Sequence, residues 1–329
     1  MKKSTMIMVL LAAALGAGVW YFEFYRKPVE KPVATTTPAF AFSRDDIAML
    51  SIVRAGETLT FERRGEGASS AWRLTRPVDS ATDGAAMESL LSALTSASVS
   101  RTFPAAPEKL KEFGLDAPSV SLEVKLKSGA QHRVRFGAND FSNSNTYVLL
   151  DEGKEVSFIP SDLLTSADKP VLEFRDRRIA VFMEENLVRI RVRNQSGTLL
   201  AEKVEGKWLV REPAAKKDWE LNTSRIFSTL DTARAKEIVD APKPSLRARL
   251  AKPDVEVELT DKDGQTLRVA FAAAGKDEFY STSSASNLIF KIESTTMDSL
   301  QFKFEDVLQE PEKPKEEKKE PAAPPAPKK

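Results

Sequence analysis

Two tryptophan–proline motifs set 136 residues apart constrain this chain more than anything else in it. Trp72-Arg-Leu-Thr-Arg-Pro77 matches Trp208-Leu-Val-Arg-Glu-Pro213, and Leu90, Leu91 and Leu94 fall on Ile226, Phe227 and Leu230 at the same offset. Leu115, Pro118, Val120, Leu122, Val124, Gly129, Val134 and Phe136 fall on Leu250, Pro253, Val255, Val257, Leu259, Gly264, Val269 and Phe271 at an offset of 135. Tyr147 then matches Tyr280, Phe158 matches Phe290, and Phe174-Arg-Asp176 matches Phe304-Glu-Asp306, the offset shortening at loops. A register held over so many apolar positions is the mark of internal repetition. The fold must therefore be one that the chain builds twice.

The pattern inside each copy is mixed. Ile47 to Arg54 and Leu59 to Arg63 read as a hairpin around Ala55-Gly56, and Trp72 begins a short strand that Pro77 ends. Met87, Leu90, Leu91 and Leu94 make one apolar stripe of a helix starting near Thr82; Ile226, Phe227 and Leu230 repeat it after Asn222, a predicted cap. Val120, Leu122, Val124 and Leu126 alternate with polar residues up to Lys127-Ser128-Gly129, and His132, Val134 and Phe136 alternate after it, which predicts a second hairpin. Short strands around Tyr147 and Phe158 follow. The expected fold class is α+β: two tandem homologous, mostly antiparallel sheet-plus-helix repeats after an N-terminal transmembrane helix.

That helix is expected over residues 1–26. Lys2 and Lys3 precede an uncharged run from Ser4 to Phe22, long enough to span a bilayer, and Trp20, Tyr21, Phe24 and Tyr25 suit a membrane–water interface. The small residues between Ala12 and Gly18 leave a cleaved signal peptide as the rival reading. Residues 27–43, rich in Pro and Thr, read as a stalk, residues 44–178 as repeat 1, residues 179–308 as repeat 2, and residues 309–329 as a disordered Pro/Glu/Lys tail. The positive charges flanking the run are nearly balanced, but a short head and a long following body favour a single-pass protein of the inner (cytoplasmic) membrane with its body on the periplasmic or extracytoplasmic side.

Composition removes several chemistries. The chain has 49 Lys plus Arg against 48 Asp plus Glu, no cysteine and a single histidine. Near-neutrality gives no field for nucleic acid. Without cysteine there is no thiolate nucleophile, cysteine-ligated metal, disulfide or lipobox, and no cofactor or metal is expected. His132, in phase with Val134 and Phe136, reads as a packing strand residue. Glu256 and Glu258 alternate with Val255, Val257 and Leu259, so both carboxylates fall on one strand face, read as solvated. No Gly-x-Ser-x-Gly, Ser-x-x-Lys or phosphate-cradling loop is present, and no catalytic residue is assigned. Trp72 and Trp208 read as core. Trp219 breaks the repeat and is either a hydrophobic staple for the following helix or an exposed contact residue. Arg175, Arg177 and Arg178 form a basic turn where the repeats meet, a candidate partner or ligand contact that also reads as an inter-unit salt-bridge site.

Taken together, the anchor, the two Trp-x4-Pro motifs, the Leu-Leu-x-x-Leu helix, Gly114-Leu115-Asp-Ala-Pro118, Tyr147 and Phe174-Arg-Asp176 resemble a bacterial membrane-anchored family of unknown function, over about residues 44–308. The resemblance implies genes set beside those of gliding-motility-type ABC transporter components, hence an envelope accessory role; it implies no catalytic residues. The second copy departs from the pattern at Arg249-Leu250 and Glu305. The expected function is a non-enzymatic accessory or interaction protein whose partners are the membrane and ABC permease or ATPase subunits. The alternatives are a periplasmic polysaccharide- or peptidoglycan-binding module using Trp219 and, further off, a hydrolase.

Overall fold

The computed structural model describes residues 36–54, 56–65, 71–104 and 106–311, with residues 12, 14–17, 20 and 21 nearer the N-terminus. Most of the anchor, residues 27–35 of the stalk and residues 312–329 of the tail lie outside the described residues. Among those described, no helix is long and apolar enough to cross a membrane. The chain divides into two compact units, residues 1–174 and 175–329.

Unit 1 opens with β1 (Thr37–Pro38), β2 (Ile47–Arg54), β3 (Glu57–Arg64), β4 (Ala71–Arg76) and β5 (Ser80–Ala81), followed by helix α1 (Gly84–Ser96). Then come β6 (Ser98–Val99), β7 (Arg101–Pro104), β8 (Val120–Leu126), β9 (Gln131–Asn139), β10 (Asn145–Leu150), β11 (Glu155–Pro160), and the short helices α2 (Asp162–Ala167) and α3 (Val171–Phe174). Nine strands form one antiparallel sheet in the order β5-β4-β3-β2-β8-β9-β10-β11-β7. Its outermost strands are short, two and four residues. The alternation read from the sequence puts Leu50, Ile52, Phe61, Leu122 and Val124 on one face, where they meet Leu90 and Leu94 of α1 in a single buried cluster. Asp83 caps α1 by accepting the Ala86 N–H. Residues 37–42, assigned to the stalk from the sequence, belong to this body. Thr37 and Pro38 pair with β6, and Phe40 is buried, because its ring has the core to join.

The other face of the unit 1 sheet is roofed locally. Phe113, in the turns after Pro107–Lys109, packs at a tilt against Tyr147 with ring centres 4.6 Å apart, and Tyr147 against Phe158 at 4.4 Å. The approach is main chain on main chain, since the Ala138 N–H donates to the Phe113 carbonyl at 2.8 Å. A Cβ at Gly137 would sit 2.1 Å from that carbonyl, and Gly114 has φ +67°, so both positions require glycine.

Unit 2 contains β12 (Leu187–Asn194), β13 (Gly197–Val204), β14 (Lys207–Glu212), β15 (Glu220–Leu221), helix α4 (Ser224–Thr232), β16 (Glu237–Ile238) and helix α5 (Pro244–Leu250). It continues with β17 (Val255–Asp261), β18 (Thr266–Gly275), β19 (Glu278–Ser283), β20 (Ile289–Ile292), helix α6 (Ser294–Leu300) and β21 (Leu308–Gln309). The strand order is β16-β20-β19-β18-β17-β12-β13-β14-β15-β21, which read backwards repeats the order of unit 1 and adds β21 at one rim. Both rims here are two-residue strands. Ile190, Val192, Val210, Ile226, Leu230 and Phe271 are buried. Trp208, also buried, meets Phe227 edge-on at 5.8 Å, consistent with its reading as core. Here α5 supplies the roof, setting Leu246 and Leu250 against Ala272, Tyr280 and Ile289.

Three local expectations change. The cap of α4 is Thr223 rather than Asn222, whose side chain instead accepts the Ser224 N–H. Tyr147 pairs with Phe158 but Tyr280 pairs with Lys291, so Lys291 holds the place of Phe158 and Phe290 turns to the opposite face. The division between units falls after Phe174 rather than 178, because Arg177 and Arg178 pair with residues 234 and 235 of unit 2.

Candidate functional site

The basic turn is built into the frame of unit 2. Arg175, nearly fully buried, forms a bidentate ion pair with Asp240 at 2.7 and 2.8 Å. The Arg177 carbonyl accepts the Ala235 N–H at 2.8 Å, and Arg178 binds Asp176 and bridges to Arg234. The salt bridge of Arg175 lies inside unit 2 rather than between repeats. Burial opposes ionisation of Asp176, but the Arg178 side chain and N–H outweigh it and hold that carboxyl below the usual aspartate range. These residues fix the lead-in segment to the chain just after α4.

Trp219 lies apart from them, in the turn between β14 and β15. Its N–H donates to the Lys216 carbonyl, its own carbonyl accepts the Val210 N–H, and the Lys216 ammonium lies 3.7 Å above its half-buried ring. The Thr223 cap places the staple position at Asn222, so Trp219 is not the staple.

His132 lines an open groove of about 350 Å³ with Lys125, Arg133, Asp151 and Glu152. Its ring packs against Phe42 at 5.1 Å and Phe40 at 5.8 Å, and Nδ1 lies 3.2 Å from Asp151 Oδ2. Glu256 is buried rather than solvated, because Arg193 and Arg268 both reach it, while Glu258 pairs with Arg191 at 3.4 Å. Further along this face Glu202 accepts from Arg189 at 2.8 Å and Arg211 at 3.3 Å.

A different surface in unit 2 leaves its charges unanswered. The segment before β12 exposes Val181 and Met183, at 57% and 64%, and leads into a 3-10 turn at Glu184–Asn186. Between that turn and α4 runs an open groove of about 530 Å³ with Phe182, Met183 and Phe227 as its apolar lining and Glu184, Glu185 and Asp231 as its charged one. No lysine or arginine lines it, and none of the three carboxylates forms an ion pair among the described residues. The corresponding lead-in of unit 1 carries Ser43, Arg44 and Asp45, whose charges are closed internally: Arg44 reaches Glu88 on α1, and Asp45 binds Arg63 at 3.3 Å. Glu184 replaces Arg44 by reversal of charge, and Ser224 stands on α4 where α1 has Glu88.

Sequence reasoning missed this groove because the repeat alignment began at Trp72. Carried back at an offset of 140, from Ile47 to Leu187, it sets Met183-Glu184-Glu185 against Ser43-Arg44-Asp45 and exposes the difference. It also missed Phe141, fully exposed on a turn between β9 and β10 that Asp140 holds by accepting from Ser142, Ser144 and Asn145.

Among the described residues there is no group of three or more His, Asp or Glu placed to hold a metal ion. Neither the curated proteins nor the solved structures yield a match to the chain. A family model does match, running from Trp72 in β4 to Leu246 in α5 and covering more than half of the sequence, and by that match the chain belongs to the family described as Domain of unknown function (DUF4340).

Proposed function

We propose that the two units are tandem homologous copies of one α+β module and that the protein is a non-enzymatic, membrane-anchored accessory that works by contact. The anchor over residues 1–26 would hold it, single-pass, in the inner membrane with the body on the extracytoplasmic side, in support of an ABC-type transporter or related envelope assembly. The observation that carries the contact reading is the pair of exposed apolar residues Val181 and Met183 beside three carboxylates that form no ion pair among the described residues. The transporter itself is supported by the sequence resemblance to proteins encoded beside such components. The glycan-binding alternative is weakened by Lys216, whose ammonium already occupies one face of the Trp219 ring.

The test is crosslinking in intact cells, followed by purification of the tagged full-length protein from membranes and mass spectrometry of what stays attached. Recovery of permease or ATPase subunits is the expected result. Recovery of the protein alone from the soluble periplasmic fraction, cleaved near residue ~18 as a signal peptide would be, overturns both the anchor and the transporter role.

A further inference from the structure

We infer that the groove between the Glu184–Asn186 turn and α4 receives a basic amphipathic segment of a partner protein, one that sets a Lys or Arg beside an apolar side chain. This inference rests on the contact reading above and names the chemistry of its partner.

The argument comes from comparing the two copies of the same place. In unit 1, Arg44 on the turn reaches across to Glu88 on α1, so the molecule supplies its own cation and closes the two walls. In unit 2 the turn carries Glu184 and the helix carries Ser224, and Glu185 and Asp231 add two more exposed carboxylates. The position that holds the cation in unit 1 holds a carboxylate here, and among the described residues none of the three carboxylates has an ion-pair partner. Ser43, exposed in unit 1, is replaced by Met183, an unbranched and polarizable side chain that adapts to irregular partners. Phe182 and Phe227, 5.8 Å apart, give the apolar lining its rigid part. The nearby bases are engaged or turned elsewhere. Arg234 donates to the Asp231 and Ala233 carbonyls, and Arg225 donates to the Ser299 carbonyl and stacks on Phe302. Lys262, whose N–H binds the Asn186 carbonyl, lies outside the groove lining. A segment with apolar residues on one helical face and Lys or Arg along its border satisfies both parts of the groove.

The probe is a fluorophore-labelled helical peptide of leucine and lysine on opposite faces, titrated against the full-length chain at low and high salt. Saturable binding that weakens with salt is expected. Met183→Ser combined with Glu184→Arg gives unit 2 the residues of unit 1 and should weaken binding by about tenfold or more. Glu305→Arg, at an exposed acid outside the groove, should leave affinity unchanged. An unshifted melting midpoint for the double variant shows that the fold survives. The proposal is overturned if the double variant binds like the parent, or if a leucine–glutamate peptide binds equally well. It is overturned in favour of another occupant if the chain dimerises and the double variant dissolves the dimer, or if removing residues 312–329 tightens peptide binding tenfold. Transporter subunits that still co-purify with a double variant unable to bind the peptide leave the accessory role standing and reject this groove as its contact. Intact peptide binding without any transporter subunit does the reverse.

Discussion

Each unit covers part of the second face of its sheet, and the two do so by different means. In unit 1 a turn presses its own main chain onto β9, the Phe113 carbonyl taking the Ala138 N–H, with aromatic rings from Phe113, Tyr147 and Phe158 filling the space. In unit 2 a helix stands off from β18. The corresponding N–H, that of Ala273, is taken by the Asp254 carboxylate at 2.9 Å, and Arg249 ties the helix down through the Ala273 carbonyl and Asp254. Burial disfavours the Asp254 charge, but Arg249 and that N–H more than offset it and lower its pKa. The matching backbone donor is thus satisfied by backbone in one unit and by an ionic side chain in the other. Glycine is obligatory only in the first, which explains why Gly114 and Gly137 face Arg249 and Ala272 across the alignment. Bulk moved as well: with Ala272 and Lys291 in place of Gly137 and Phe158, α5 leaves a groove of about 490 Å³ beside Leu246 and Tyr280.

The sharpest way to break this comparison is Gly137→Ala. Its Cβ would meet main chain, which cannot rotate away, so a loss of about 3 kcal/mol is expected by denaturant titration, against about 1 kcal/mol for Ala272→Gly at the matching position. Equal losses would show that the two roofs do not differ as described. Next is the Arg175–Asp240 ion pair of unit 2. Arg175→Ala strands Asp240, and with that carboxylate partly exposed the expected cost is about 2 kcal/mol, only partly restored by lysine, which lacks the bidentate fork. Helix capping gives a smaller contrast: Asp83→Ala should cost about 1 kcal/mol, whereas Thr223, whose side chain makes no cap bond, should tolerate alanine within about 0.5 kcal/mol.

The smallest effect concerns acid. Hydrogen bonds first from Arg189 and then from Arg211 hold the Glu202 carboxyl below the ordinary glutamate range. A carboxyl with a depressed folded-state pKa contributes stability above the unfolded-state value and loses it as pH falls through the folded one. Arg189→Ala should therefore flatten the acid limb of melting temperature against pH below about pH 5, with a change under about 0.5 kcal/mol at neutrality because the pair is solvent-screened. An unchanged acid limb would show that the pair carries no pH dependence.

What the sequence made legible was everything periodic. The stripe through Met87, Leu90, Leu91 and Leu94 and the alternation through Val120, Leu122 and Val124 report which face is buried, and burial is the dominant force acting on those residues. The roofs were not legible, because Phe113 and Leu246 act through contacts between segments distant in sequence and obey no period. Phe290 misled for a related reason. Its match to Phe158 preserves residue type while a one-residue slip reverses its face, and only the pairing of Tyr280 with Lys291 shows it. The groove residues Met183, Glu184 and Asp231 escaped because their meaning lies in the lack of a paired cation among the described residues, and no local pattern reports an absence. Arg175 drew notice in the sequence as a candidate contact, and its pairing emerges only with Asp240, 65 residues away, beside it.

The brevity of the outer strands bears on how this molecule tolerates company. A chain confined to a surface, as the proposed anchor would confine it, meets its own copies at high density and in restricted orientations. Long bare rims would then template sideways growth, each sheet extended by the next until the layer polymerised. Rims of two to four residues offer little main chain to extend, which disfavours such growth. In the proposed contact role, recognition would fall to side chains on turns and grooves, where one substitution can redirect it without disturbing the sheet beneath.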